Sequence, residues 1–97
     1  MKAVEAPLLL WLEGGPGWPT MYAVFKENGP FVVGWDSTFL KTYLLPNKHT
    51  WTSDHNLLYL DNPAGTGFSH SDSIGELTDH EVGLNLVQAM AQAGFIL

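Results

Sequence analysis

The sequence contains no cysteine and no arginine, and these two absences exclude several kinds of chemistry. Without cysteine there is no disulfide, no thiolate nucleophile and no cysteine-rich zinc site. Ten acidic residues stand against four lysines, which gives a net charge of -6 at pH 7. Because this excess of negative charge disfavours binding to nucleic acid or to an anionic membrane, neither is expected as a partner.

A long apolar run and a leader segment are also missing. No stretch approaches the roughly 20 apolar residues that a membrane-spanning helix requires. The N-terminus, Met1–Pro7, has one lysine followed by an acid and a proline, a pattern that does not match a secretory signal peptide. We therefore expect a soluble chain from which any targeting segment is missing.

The length of the chain allows one domain at most. Of its 97 residues, 45% are hydrophobic and 12% aromatic, a composition typical of a folded chain rather than of a disordered linker. A chain of this size buries only about three-fifths to two-thirds of its unfolded surface, so we expect a modest core.

Two apolar stretches each break directly into a glycine-rich turn. The first, Leu8–Leu12, is followed by Glu13 and by Gly14–Gly17, which holds three glycines and a proline. The second, Asn56–Asp61, is followed by Asn62–Gly67. Continuous apolar runs of this length are typical of strands buried on both faces of a parallel sheet. The sequence therefore predicts two buried strands, each with a glycine loop at its carboxyl end.

The region between these strands has weaker signals. The spacing of apolar residues predicts a short helix over Thr20–Phe25, and an Asn-Gly-Pro turn precedes a short strand at Phe31–Val33. From Gly34 to His55 no period is sustained. We expect loops there, with one strand fragment near Phe39–Tyr43.

The clearest helix signal begins at Thr78. Thr78 and Glu81 have the spacing of a capping box, and Gly94 suits a C-terminal cap. One apolar stripe lies between them, made of Val82, Leu86, Ala89, Met90 and Ala93. Strands followed by a helix predict an α/β fold, in which sites lie beyond the carboxyl ends of the strands. Both glycine loops occupy that position.

Taken alone, Gly14–Gly17 allows three interpretations. A phosphate-binding loop would need a lysine and a serine or threonine that are missing here, and Pro16 removes a backbone donor. A tight connection without chemistry is the second interpretation. The third is an oxyanion hole, whose backbone N–H groups stabilise the negative oxygen formed during acyl transfer by about 3 kcal/mol per donor. The position after a buried strand, together with the second glycine turn, favours the third.

No metal site and no nucleophile stand out. The four histidines lack the spacing of metal ligands and are interpreted as surface residues: His49, His55, His70 and His80. Ser69 lies in Gly-Phe-Ser-His-Ser, which differs from the GxSxG elbow in its last residue. A nucleophile and its base are normally brought together by the fold, whereas Ser69 and His70 are sequence neighbours. We therefore expect no metal, no cofactor and no catalytic nucleophile, acid or base in this chain.

Three blocks, Ala6–Gly17, Phe25–Pro30 and Leu58–Ser69, occur in an order and spacing that resemble the N-terminal part of a serine carboxypeptidase, in particular its vitellogenic-like branch. The resemblance implies an α/β-hydrolase fold and residence in the secretory pathway, in the lysosome or outside the cell. It also implies removal of C-terminal amino acids from peptides at acidic pH, with the peptide C-terminus as the substrate that is bound.

The same resemblance assigns roles to residues of the first block and its neighbour. Gly15 would supply one backbone N–H of the oxyanion hole, and the residue after the nucleophile would supply the other. Trp11, Glu13, Gly14 and Glu27 match positions that recognise the substrate's terminal carboxylate or support that recognition. The family has Asn or Gln where this chain has Glu13, and an ionised Glu13 would repel a carboxylate. We therefore expect either an altered preference or an inactive member of the family.

Two further departures affect what the chain can do. Where the family has Cys-Ser-Ser or Gly-Ser-Ser, this sequence has Trp18–Thr20, and we expect its ring and its proline to reshape the loop. The family's nucleophile elbow and the Asp and His of its triad lie beyond the matched blocks. We therefore expect residues 1–97 to be an incomplete N-terminal part of one α/β-hydrolase domain, without the elbow strand and inactive alone.

Two alternatives stay open. An acyltransferase of the same superfamily would use the same loops with another acceptor in place of water. A noncatalytic interaction or decoy protein would keep the surface of the fold without its triad.

Overall fold

The structure, a computed structural model, describes residues 5–72 and 75–95. The elements follow one another in the order β1 (Leu8–Trp11), α1 (Met21–Lys26), β2 (Phe31–Asp36), β3 (Lys41–Pro46), β4 (Asn56–Tyr59) and α2 (Asp79–Gln92). A short 3₁₀ helix, Trp51–Ser53, lies between β3 and β4. The described chain is a small mixed α/β structure, and the predicted class is confirmed at this level.

The two strands predicted to carry glycine loops are neighbours. β1 and β4 pair in parallel, with Leu8 opposite Asn56 and the following residues in step. Because parallel strands end at the same edge of a sheet, their two loops lie side by side. We name residues 12–20 the first glycine loop and residues 60–69 the second glycine loop. The candidate site described below lies at the edge of the sheet where these two loops meet.

The prediction that these strands are buried on both faces is wrong for the described residues. Leu8 is 46% exposed and the rest of both strands is only half-buried, while Ala23 is the one apolar side chain of the described part that is fully buried. A parallel strand is buried only where layers cover both faces. The described helices do not supply full cover, since α2 has no buried residue and its apolar stripe, Val82, Leu86, Ala89 and Met90, is only half-buried.

The middle of the chain forms an antiparallel hairpin of β2 and β3. The strand predicted at Phe31–Val33 is confirmed and extends to Asp36, whereas mostly loop was predicted for the residues that follow it. Asp36 organises its turn, because one oxygen of this side chain accepts the N–H groups of Thr38 (2.8 Å) and Phe39 (3.2 Å). The fragment expected near Phe39–Tyr43 is a full strand shifted to Lys41–Pro46. All six residues of β3 are exposed. The sequence therefore lacks the alternation of apolar and polar residues that indicates a half-buried strand.

Both predicted helices are confirmed, α1 to within one residue at each end. In α2 the hydroxyl of Thr78 accepts the N–H of Glu81 (3.3 Å), and the N–H of Thr78 donates to the Glu81 carboxylate (2.8 Å), which completes the capping box. Hydrogen bonds from the backbone and side chain of Thr78 lower the pKa of Glu81. Gly94 follows the helix with a φ of 79°, as its predicted capping role requires. Neither helix has the length and apolar character needed to cross a membrane.

Candidate active site

The first glycine loop holds Gly15 in a conformation that favours glycine. Its φ is 131°, and a Cβ atom built there would lie 2.6 Å from Cδ1 of Trp18. Both the backbone and the neighbouring ring therefore select glycine at this position. Within residues 5–72 and 75–95 the Gly15 N–H donates no hydrogen bond. This N–H group is thus available to an acceptor outside the loop.

Glu13 folds back onto two N–H donors beside Gly15. The backbone N–H of Gly14 donates to Oε1 of Glu13 (3.0 Å), and the indole N–H of Trp11 donates to Oε2 (3.4 Å). The Trp11 ring itself rests edge-on against Trp51, with a centroid distance of 5.4 Å. Three of the predicted site residues, Trp11, Glu13 and Gly14, therefore lie together, but they bind one another.

Glu27, at the end of α1, is the fourth predicted binding residue, and it approaches Glu13. Desolvation raises the pKa of Glu27, and the negative charge of Glu13 and a hydrogen bond to that carboxyl raise it further. A negative charge close to a carboxyl group disfavours its ionisation, which is why the pKa of Glu27 is raised. All four predicted binding residues are thus grouped at one place.

Asn28 holds the end of α1 against β4. Its side-chain oxygen accepts the hydroxyl of Tyr59 (2.9 Å), and its carbonyl accepts the N–H of Trp51 (3.0 Å) and the hydroxyl of Thr50 (3.1 Å). Burial raises the pKa of Tyr59, which keeps this hydroxyl protonated as a donor. Asn28 is buried, and in the described part of the chain its Nδ2 has no partner. These contacts fix the backbone next to Glu27.

Asp61 is a residue of the site that sequence reasoning missed. One of its oxygens accepts both the N–H and the hydroxyl of Thr20, each at 2.7 Å, and the other accepts the N–H of Phe68 at 2.9 Å. Burial by itself raises the pKa of Asp61, but these three hydrogen bonds outweigh burial and lower it. An acid that follows an apolar run and precedes the glycines of the loop was the available signal. Asp61 joins the two glycine loops.

Ser69 has a structural role in the second glycine loop. Its hydroxyl donates to the carbonyl of Asp61 (2.7 Å), and its own carbonyl accepts the N–H of Gly65 (3.0 Å). The hydroxyl therefore closes the loop that follows β4. Among the described residues no group of three potential ligands is placed to hold a metal ion.

A pocket of about 350 Å³ opens beside the first glycine loop. Glu13, Gly14, Gly15, Trp18 and Tyr22 line it. The rings of Trp18 and Tyr22 meet edge to face, with centroids 5.6 Å apart, and form an apolar wall. Glu13 and the backbone of Gly14 and Gly15 form the polar side. Such a pocket suits an apolar group that ends in a hydrogen-bonding function.

A parallel strand pair with two loops and a pocket at its carboxyl edge is the usual setting of an α/β enzyme site. The chain belongs to the serine carboxypeptidase family, whose family model matches residues 1–92. The resemblance inferred from the three sequence blocks is thereby confirmed.

Several curated relatives are similar to the chain over most of its length. A venom serine carboxypeptidase of Apis mellifera is 46% identical over 89 residues, which covers 90% of this chain and 18% of the relative. A vitellogenic carboxypeptidase of Aedes aegypti is 40% identical, over 91% of this chain and 18% of the relative. A human protein named probable serine carboxypeptidase CPVL is 39% identical, with the same coverage of 91% and 18%. The chain thus spans about a fifth of the length of these relatives.

Proposed function

We propose that this chain is the oxyanion-loop part of a serine-type carboxypeptidase, which removes residues from the C-terminus of peptides. The observation that carries the proposal is the N–H of Gly15 beyond the carboxyl end of β1, which donates no hydrogen bond to any described residue and lies beside a pocket with an aromatic wall. Family membership supports the same reaction class.

In the whole enzyme a serine outside the described residues attacks the carbonyl carbon of the last peptide bond. A histidine takes the serine proton and passes it to the leaving amine. The Gly15 N–H donates to the oxygen that becomes negative, and a second backbone N–H, next to the nucleophile, completes the oxyanion hole. Each donor contributes about 3 kcal/mol to the stability of the transition state.

The remaining residues position the peptide's end. Trp11, Glu13, Gly14 and Glu27 surround its terminal group, while Trp18 and Tyr22 contact its last side chain. Residues 1–97 form part of one α/β-hydrolase domain and are inactive alone, because among residues 5–72 and 75–95 no nucleophile and base are paired beside Gly15. The whole protein resides in the secretory pathway. A relative that is named as a venom serine carboxypeptidase supports this location.

The test uses the full-length protein that contains this sequence. We expect it to release the C-terminal residue from N-blocked dipeptides, supplied in parallel as free acids and as carboxamides, and to lose this activity with a serine-directed inhibitor. The 97-residue chain should release nothing under the same conditions. Full-length protein that cleaves neither substrate, or that transfers the acyl group to an alcohol in preference to water, overturns the proposal.

A further inference from the structure

We propose that Glu13 sets the terminal-group specificity of this pocket: its carboxylate occupies the N–H donors of Trp11 and Gly14, so the pocket disfavours a free terminal carboxylate and accepts a C-terminal carboxamide. This inference rests on the proposed function, since it names the substrate class of the same site.

The two donors already hold a carboxylate. The Gly14 N–H lies 3.0 Å from one oxygen of Glu13, and the Trp11 indole N–H lies 3.4 Å from the other. Each donor has a single proton to give, so a second carboxylate can bind there only after it displaces the first. Glu13 is attached to the same loop and competes without any loss of translational freedom, unlike a free ligand. An incoming carboxylate therefore meets an occupied site.

Charge acts in the same direction. Glu27 lies next to Glu13, which brings two acids to the site, and no lysine forms an ion pair with either of them in the part of the chain that the structure describes. Lys26, beside Glu27 in sequence, directs its ammonium group to the carbonyl of Val33 on β2 (3.3 Å). A terminal carboxylate entering the pocket is repelled and finds no cation to compensate it.

A carboxamide satisfies the same geometry without that conflict. Its NH₂ group can donate to the carboxylate of Glu13, which lines the pocket, and it is neutral. The rings of Trp18 and Tyr22 remain free to contact the side chain of the last residue. The pocket thus matches an apolar residue that ends in an amide.

The experiment measures binding to the full-length protein by calorimetry at pH 7, with N-acetylphenylalanine and N-acetylphenylalaninamide as probes. We expect the wild-type protein to bind the amide at least about tenfold more tightly than the acid. Glu13→Ala frees both donors and should tighten binding of the acid by about tenfold. Glu13→Gln, which keeps the shape of the side chain and removes its charge, should change the preference in the same direction. Glu76→Gln, at an exposed acid of the described chain, is the matched control and should bind as wild type does.

The indole N–H resonance of Trp11 gives a second readout. It should shift with the acid in Glu13→Ala and not in the wild-type protein. Equal or tighter binding of the acid by wild type, binding of neither probe, or no gain in the variants overturns the inference. Tighter binding of phenethylamine, the amine with the same ring, overturns it in favour of a cation site. Since no probe needs turnover, a protein that binds as expected but cleaves nothing contradicts the proposed function and leaves this inference standing.

Discussion

The backbone N–H and the hydroxyl of Thr20 both donate to one carboxylate oxygen of Asp61, each at 2.7 Å. Thr20 ends the first glycine loop and is buried, while Asp61 is the second residue of the second glycine loop, which follows β4. The second oxygen of Asp61 accepts the N–H of Phe68, so a single side chain connects both loops. The geometry around Gly15 therefore depends on a residue that does not line the pocket beside the first glycine loop.

Replacement of Asp61 should destabilise the two loops together. Asp61→Ala removes three hydrogen bonds to a charged acceptor and leaves the buried groups of Thr20 without a partner, so we expect a loss of about 2–4 kcal/mol in the free energy of unfolding. Urea denaturation of the full-length protein measures this change in the free energy of unfolding. Glu76→Ala, at an exposed acid, should cost less than about 0.5 kcal/mol. Equal effects of the two substitutions would contradict the conclusion that Asp61 connects the two glycine loops.

Asp61 should also give the protein an acid-dependent stability. Its pKa is lowered in the folded state. Its contribution is therefore fully present above the ordinary value of about 3.9 and is lost as the pH falls through the folded value. Denaturation midpoints between pH 2 and pH 6 should fall less steeply toward low pH in Asp61→Asn than in wild type. Parallel pH profiles would show that the carboxylate is not the group responsible.

The contribution of Glu27 to stability should depend on pH in the opposite direction to that of Asp61, and Glu27→Gln tests this. The pKa of Glu27 is raised, so the folded state holds this proton to higher pH than the unfolded state does. Stability from this group is greatest at low pH and is lost as the pH rises from about 4.3 through the folded value. Because glutamine stays neutral beside Glu13, the variant should be more stable than wild type at pH 7. The greater stability of the variant should vanish near pH 3. If the variant is still more stable than wild type at that pH, the charge of Glu27 is not the cause of the difference.

Gly15→Ala should impair the chemical step more than binding. A methyl group here would lie 2.6 Å from the Trp18 ring, and alanine is strained at a φ of 131°, so the N–H must move. Displacement of one oxyanion donor should lower kcat of the full-length enzyme by about 10²-fold while KM changes little. The control is Gly83→Ala in α2, where an added methyl group meets nothing within 4 Å in the described structure. This control should keep full activity, and a similar loss in both variants would refute a special role for Gly15.

Local sequence patterns were sufficient for much of the architecture. The runs that begin at Leu8 and Asn56 are strands, and their glycine turns follow at one edge. Thr78 and Glu81 form the capping box that their spacing predicts. These features depend on neighbouring residues and backbone preferences, which a sequence displays directly.

The hairpin could not be predicted in the same way. Lys41–Pro46 is exposed along its whole length, and its pairing with β2 depends on the turn that Asp36 caps rather than on a pattern of burial. The predicted burial of β1 failed for a related reason. An apolar strand is buried by what packs against it, and its own composition does not supply that partner.

The sequence by itself determined the family, the two strand and loop units, the glycine at position 15 and the acid at position 13. Only the tertiary structure decided that Asp61 joins the loops through Thr20 and that Glu27 lies beside Glu13. It also decided that the Glu13 carboxylate sits on the N–H groups of Trp11 and Gly14. The physical reason is that backbone preferences act over a few residues, whereas these contacts depend on the parallel register of β1 and β4 and on the rotamers selected there.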